Sequence, residues 1–559
     1  MEPEDLLENL DPEQREAAES LVGPTCILAG AGTGKTRTVT HRIAYGIAKG
    51  YYSANRVLAL TYTNRAAGEL RARLRQLGIG AVSVKTFHAA ALAQLEFFWP
   101  QFAGVPAPSV LQSKARVLNQ VAEAAKIRLD AGAIRDLAGE IEWRKFSMLS
   151  MDEYAEAAKS RPKIAGLSPQ KNVELQEAYE DSKIKSQKID WEDVLILTLG
   201  LLRAEPRALA HVQQQYRFFT VDEYQDISPL QHSLLDAWLG NRSDICVVGD
   251  PNQTIYSFTG ATSEFLQNFD SRYPDATVIQ LTRNYRSTSQ IVNFANRLTA
   301  DTDSVDPLRS EGELGLAPRI LSFASVAEEC QAVAVQIKTK LEQGFKASDF
   351  AILYRVNGQS EALENALSQL GIDYQVRGGE RFFSRPEIQN AIRAVRAEAV
   401  SPTDKGLYQT VSDICRSLGW QTQQPTEKGS AREKWESLNS FLAITDELPE
   451  NSSIGDFAKE LDERQRSQHE PVKAAITLST IHAAKGLEWD SVYLVGLTEG
   501  YLPISYATTE QEIREERRLL YVGITRARQD LMLTWARRDA NSTREREPSR
   551  FLAQLLPRG

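Results

Sequence analysis

The stretch TCILAGAGTGKT, Thr25–Thr36, decides how the rest of the chain is read. Its apolar start, Cys26-Ile27-Leu28, predicts a short buried strand, and Lys35-Thr36 opens a helical segment. Between them lie glycines at 30, 32 and 34, which lack Cβ. The backbone there can turn tightly and point several N–H groups inward. The helix that follows adds the positive end of its dipole. Strand, Gly-rich turn and helix in that order are the setting of a P-loop. Ala29, Gly30, Ala31, Gly32, Thr33 and Gly34 form its cradle, with Ala29 standing where the first glycine is usual. Lys35 is placed to reach the β- and γ-phosphates of a nucleoside triphosphate, and the Thr36 hydroxyl to ligate Mg²⁺.

Around this loop the chain is long and compositionally ordinary. Its 559 residues exceed one hydrophobic core, so three or four domains are expected. With 42% apolar and 25% charged residues, most of it should fold. A formal net charge of −9 argues against a uniformly basic nucleic-acid binder. It leaves room for a local basic groove, because steering depends on where charge sits. Cysteines 26, 246, 330 and 415 stand alone, without a CxxC pair. Neither a zinc site nor a disulfide framework is indicated, and a reducing cytoplasm is the expected home. The acidic start MEPEDLLENLDPEQ has no apolar core, so no signal peptide is expected. No apolar run is long enough to span a bilayer, so no membrane role is expected.

Asp11-Pro12-Glu13-Gln14 reads as a helix start, an N-cap followed by Pro at the first helical position. After the P-loop come a helix (about 35–49), a strand (56–62) and an arginine-rich helix carrying Arg65, Arg71, Arg73 and Arg75. That rhythm argues an α/β layer with a parallel sheet. From about 89 to 188 the pattern is almost wholly helical, an insertion. RFFTV (217–221) and ICVV (245–248) then resume the strands. A second α/β unit is expected to begin near Asp275, with TVIQL, FAILYR, AITLST, SVYLVGL and LMLTWA as strands. A polar, helical interruption lies between 395 and 470, with QTQQPTEKGS as its most loop-like segment.

Several clusters carry chemistry. Asp222-Glu223 follows the strand FFTV, and acids at a strand's C-terminal edge sit where open α/β sheets bind ligands. Alone the pair would be a solvated turn; downstream of a P-loop, Asp222 holds Mg²⁺ and Glu223 orients and deprotonates the attacking water. Gln253, in VVGDPNQ, is a candidate γ-phosphate sensor. Tyr256 and Phe258 follow it, suited either to stacking on unpaired bases or to packing as core aromatics on one strand face. Arg286 and Arg526 are candidates for stabilising a transferring phosphoryl group from a neighbouring lobe; singly, each would be a surface ion pair. His482 and Lys485 suit a phosphate backbone, and Glu488 a ribose hydroxyl; on its own a His near a strand end is usually just packed and hydrogen-bonded.

In order, LDPEQ (10–14), AGAGTGKTRT (29–38), LTYTNRAAGEL (60–70), KTFHA (85–89), VDEYQD (221–226), VVGDPNQTIYSF (247–258), LTRNYRS (281–287), STIHAAKGLEW (479–489) and EERRLLYVGITRAR (515–528) resemble the motif series of the UvrD/PcrA/Rep-type superfamily 1 helicases. The similarity covers nearly everything except 396–469. It implies an α/β fold of two RecA-like motor lobes, each with a mainly helical insertion, and ATP with Mg²⁺ between the lobes. Lobe 1A would comprise 1–88 and 188–274, with insertion 1B at 89–187. Lobe 2A would comprise 275–395 and 470–559, with a short insertion 2B at 396–469. Gln14, Arg37 and Tyr285 match positions that hold adenine and nucleotide. Lys35, Thr36, Asp222, Glu223, Gln253, Arg286 and Arg526 match the phosphate machinery, and Glu488 a sugar contact. Tyr62, Asn64, His88, Tyr256, Phe258, His482 and Lys485 fall in motifs that contact single-stranded DNA. The resemblance further implies 3′-to-5′ movement along DNA, tailed duplexes as substrates, repair proteins as partners and a place on the nucleoid.

Three departures bear on duplex opening and none on phosphate chemistry. Phe258 stands where Trp is common, and Thr259 where Arg is common. The insertion 396–469 is short for the family. The turn RRDANSTRERE (537–547) lacks the aromatic of a strand-separating pin. A single-strand translocase that displaces bound proteins and unwinds poorly without help is therefore the second reading. A nucleotide-switched clamp without turnover is a third, against which the hydrolytic set Glu223, Arg286 and Arg526 stands.

Overall fold

A computed structural model of the chain describes residues 2–129, 131–161, 164, 167–300, 306–377, 383, 385–400, 405–422, 437–438, 441–442, 444–449, 452–467, 475–538 and 545–556. Most of QTQQPTEKGS and the centre of the 537–547 turn, where the pin comparison falls, lie outside the described residues. The chain divides into two units at Asn284/Tyr285, with Asp306 and Pro307 returning to the first.

The first unit is built on six strands: β1 (Thr25–Ala29), β2 (Val57–Thr61), β3 (Ser83–Thr86), β4 (Phe218–Val221), β5 (Ile245–Gly249) and β6 (Thr277–Leu281). Their order is β3-β2-β4-β5-β1-β6 and every pairing is parallel. The inner strands β1, β2, β4 and β5 read as near-continuous apolar runs because both faces are covered, whereas the edge strands β3 (SVKT) and β6 (TVIQL) are more polar or exposed. Alternate residues point to opposite faces. Ile27, Val57, Ala59, Cys246 and Val248 therefore pack with Val39, Ile43 and Leu70 of two helices on one side. Cys26, Leu58, Leu60, Val221 and Val247 pack with Leu95, Leu199 and Trp238 on the other. The buried Arg42 guanidinium donates to the Ala17 carbonyl (3.0 Å) and the Thr25 hydroxyl (3.2 Å), fixing the start of β1.

Two expectations are corrected by the pairing. TVIQL, read as the first strand of a second unit, is β6 and lies against β1 with Thr25 opposite Thr277. The helix Phe87–Ala103 shares the first sheet's core rather than standing in a separate insertion. A distinct helical core begins with Leu118 and includes Leu137, Ile141, Leu175 and Tyr179. A two-residue ladder, Ser109–Val110 with Lys188–Ile189, joins its entry and exit. Beside it, Lys145 donates to Asp190 (2.8 Å) and Asp193 (2.6 Å), and Lys183 to Asp190 (2.9 Å), in a buried ion cluster. Asp190 also caps the helix Trp191–Ala204 by accepting from the Asp193 N–H.

The second unit repeats the plan with β7 (Arg319–Phe323), β8 (Phe350–Tyr354), β9 (Tyr374–Arg377), β10 (Ile476–Thr480), β11 (Trp489–Leu494) and β12 (Ala527–Ala536). The order is β7-β12-β11-β8-β10-β9, again parallel throughout. The helix Pro386–Val400 packs through Ile388, Ile392 and Val395 against Val411, Phe441 and Phe457, a core separate from that sheet's.

Candidate active site and nucleic-acid interface

Strand order explains why distant motifs meet in the first unit. β4, β5 and β1 are neighbours, with Val221 opposite Val247 and Leu28 opposite Gly249. The loops that leave their C-terminal ends begin side by side, in the crevice where such sheets bind ligands. Those loops are the Gly-rich turn, Asp222-Glu223 and Asp250–Gln253.

The turn has the conformation its glycines permit, with Gly32 at φ 70° and Gly34 at φ 80°. Ala29 ends β1 in ordinary strand geometry, so its Cβ is compatible with the loop. The Lys35 ammonium donates to the carbonyls of Ala29 (2.9 Å) and Gly30 (3.2 Å). Thr36 lies in the first turn of the helix Lys35–Ala48. Gln14 is buried and donates to the Thr33 carbonyl at 2.9 Å, while its backbone N–H is capped by Asp11. Arg37 donates to the Asn9 carbonyl at 2.6 Å.

Asp222 is buried, and burial together with the neighbouring Glu223 raises its pKa to about 7 against the pull of Lys35. A buried carboxylate beside a second acid is a place for a cation. A hydroxyl and one carboxylate fit Mg²⁺, which takes few protein oxygens and completes its shell with phosphate and water. Glu223 adopts a left-handed backbone, φ 54° and ψ 42°. Asp250 is also raised by burial, and its carboxylate accepts from the Gln253 amide at 2.7 Å.

Two residues that sequence reasoning passed over belong to this assembly. Gln225 is fully buried, donates to the Glu223 carboxylate and accepts the Asp250 N–H at 3.0 Å. Asn284 donates to the Ala31 carbonyl at 2.7 Å, pinning the loop from the end of β6. Their signal was a lone amide inside each motif, which has no sequence mark of burial.

Tyr256 and Phe258 do not lie on a strand. Tyr256 immediately precedes a short 3-10 turn, Ser257–Thr259, and Phe258 lies within it, 57% exposed. The Tyr256 ring stacks on Tyr62 (5.6 Å, 10°) and meets Phe258 edge-on at 6.1 Å. The core-packing reading of Phe258 is thereby set aside. Asn64 is exposed at the start of the helix Asn64–Gln76. His88 stands edge-on to Phe146 and Trp191, with its Nε2 buried, and burial lowers its pKa to about 4.

In the second unit Arg286 pairs with Glu488, and Tyr285 is half exposed. Arg526 is no surface residue. It is 1% exposed and donates to the carbonyls of Val522 (2.9 Å) and Leu487 (3.0 Å). His482 and Lys485 follow β10 on one turn, and burial plus the nearby Arg355 and Lys485 push the His482 pKa down to about 3. His482 is therefore neutral near pH 7 and offers a polar N–H rather than a charge.

Among the described residues no helix is long and apolar enough to cross a membrane.

Comparison with known proteins matches 10–274 to the family described as UvrD/REP helicase N-terminal domain. Residues 279–428 and 404–538 match the UvrD-like helicase C-terminal domain. The chain is 44% identical to the ATP-dependent DNA helicase UvrD2 of Mycobacterium tuberculosis over 576 residues, 99% of this chain and 82% of that protein. It is 30% identical to the ATP-dependent DNA helicase PcrA of Bacillus subtilis over 642 residues, 98% of this chain and 86% of the relative. DNA helicase II of Haemophilus influenzae is 29% identical over 654 residues, 99% and 88% of the two chains. The 642-residue alignment is longer than this chain's 559 residues, so the Bacillus relative carries segments this chain lacks. Both α/β units, their motifs and these likenesses agree: the chain belongs to the UvrD-like DNA helicase family.

Proposed function

We propose that the chain is an ATP-dependent DNA motor. It hydrolyses ATP with Mg²⁺, moves 3′ to 5′ along single-stranded DNA and opens tailed duplexes in DNA repair or recombination. The observation that carries this reading is the run from Asp250 to Phe258. Within nine residues it holds the candidate phosphate sensor Gln253, hydrogen-bonded to Asp250 at 2.7 Å, and the exposed ring of Phe258. A change at the phosphate end of so short a segment is felt at its aromatic end.

In this reading Lys35 and the loop N–H groups bind the β- and γ-phosphates. Thr36 and Asp222 would hold Mg²⁺, whose charge would offset that of the phosphate oxygens. Glu223 orients the attacking water and takes its proton. Arg286 and Arg526 stabilise the transferring phosphoryl group. Gln14, Arg37 and Tyr285 hold the base, and Glu488 meets the sugar. Tyr62, Asn64, His88, Tyr256, Phe258, His482 and Lys485 follow the DNA strand. The proposed setting is the cytoplasmic nucleoid, with repair proteins as partners.

A second reading, a translocase that strips bound proteins and opens duplex poorly alone, is favoured by Thr259. Its hydroxyl donates to the Tyr256 carbonyl at 2.8 Å and puts no positive charge beside Phe258. An unwinding assay with ATP on blunt, 3′-tailed and 5′-tailed duplexes separates the readings. The helicase reading expects unwinding of the 3′-tailed substrate alone. ATPase stimulated by single strands without unwinding selects the translocase, and unwinding from a 5′ tail overturns the polarity.

A further inference from the structure

We propose that Gln225 is a positioning residue that holds the hydrolytic carboxylate and the phosphate-sensing turn in one register. The proposal rests on Glu223 as the water-orienting carboxylate. Glu223 leaves the end of β4 in a left-handed backbone, so the strand does not set the direction of its side chain. The Gln225 amide holds it. Its Nε2 donates to Glu223 Oε2, and its Oε1 accepts the backbone N–H of Asp250 at 3.0 Å. A carboxylate on one side and an N–H on the other admit one orientation of the amide. Gln225 is 0% exposed, and Gly249 shows how closely it is enclosed. A Cβ at Gly249 would lie 2.6 Å from Gln225 Oε1 and 2.6 Å from a Leu266 methyl.

From Asp250 the chain of bonds continues, because its carboxylate accepts from the Gln253 amide at 2.7 Å. Glu223, Gln225, Asp250 and Gln253 thus form one hydrogen-bonded series linking the loop after β4 to the loop after β5. Attack on a phosphoryl group requires the water and the sensed phosphate in line, and small misplacement costs orders of magnitude in rate. Gln225 sets the spacing of the two groups that impose this alignment, without itself touching the nucleotide.

The test uses the full chain with ATP, Mg²⁺ and a saturating single-stranded oligonucleotide. Gln225→Met keeps the side chain's length and removes both polar ends. Gln225→Glu keeps the acceptor for Asp250 and turns an oxygen toward Glu223. Both are expected to lower kcat by about 30-fold or more while KM for ATP and Kd for the oligonucleotide stay within about threefold. The double variant Gln225→Met/Gln253→Ala is expected to be no slower than about threefold below the worse single variant, because members of one unit are not additive. The proposal is overturned if both single variants retain kcat within about threefold of wild type. It is equally overturned if the loss appears in KM rather than kcat, or if the double variant shows the product of the two single losses. Glu223→Gln in the same assay separates the two claims. An inactive Glu223→Gln beside active Gln225 variants removes the role of Gln225 alone, whereas an active one removes the reading of Glu223 beneath it.

Discussion

The Arg286 guanidinium and the Glu488 carboxylate form an ion pair at 2.5 Å inside the second unit. Arg286 also donates to the Thr525 carbonyl at 3.3 Å. The pair joins the arginine assigned to phosphate with the carboxylate assigned to sugar. The Glu488 side chain is 44% exposed and that of Arg286 19%, so the pair is open to solvent mainly on the carboxylate side. In the proposed mechanism Arg286 would exchange Glu488 for a phosphoryl oxygen. Arg286→Ala is expected to lower turnover by roughly a thousandfold and leave nucleotide affinity within a few fold. Steady-state ATPase beside a nucleotide titration measures both, and a variant keeping a tenth of wild-type turnover would remove Arg286 from the mechanism.

Phe258 presents its ring to solvent and is held from behind by Tyr256, which is itself stacked on Tyr62. Base stacking on such a ring is worth about 1–3 kcal/mol. Phe258→Ala is expected to weaken single-strand binding by about 5- to 150-fold, with the thermal midpoint little changed because the ring is exposed. Fluorescence anisotropy with a labelled oligonucleotide checks it; unchanged affinity would show that the ring faces no base.

Asp190 is a stability prediction with a pH signature. Although burial works against its charge, the lysines Lys145, Lys183 and Lys114 hold its pKa well below the ordinary carboxylate range. A carboxylate with a depressed folded-state pKa contributes stability that is present above its unfolded value, near 4, and is lost as pH falls toward the folded one. Asp190→Asn removes one carboxylate from two buried lysines that keep Glu180 and Asp193 as partners, and should cost about 1.5–3 kcal/mol at pH 7. The gap to wild type should narrow below pH 4. Denaturant unfolding at pH 7 and pH 3.5 reads both, and an equal gap at the two pH values would contradict the assignment.

The P-loop, the acidic strand ends and both parallel sheets were legible because each depends on local pattern: an apolar run, then glycine or acid at its end. TVIQL was misplaced because its partner, β1, lies some 250 residues away, and pairing over that distance leaves no mark on the strand itself. The placement of Phe258 needed coordinates, since i, i+2 spacing suits a strand and a short turn alike. Arg526, expected to meet a phosphoryl group or, taken singly, to form a surface ion pair, is instead enclosed by backbone carbonyls, which nothing in TRAR shows. Gln225 escaped notice for a related reason: an amide among acids reads as a solvated turn until its two partners are seen.

The left-handed backbone of Glu223 has a consequence for how this enzyme can be improved. A non-glycine residue in that conformation costs about 1–2 kcal/mol, which Glu223→Gly would relieve, in part offset by a freer unfolded chain. Glu223→Gly also removes the carboxylate that accepts from the fully buried Gln225 amide, a loss of about 1–3 kcal/mol, so the variant should gain little or no stability while losing turnover. A screen that rewards folded yield alone would therefore score glycine here as near neutral and would not report the loss of turnover that the proposed role of Glu223 predicts.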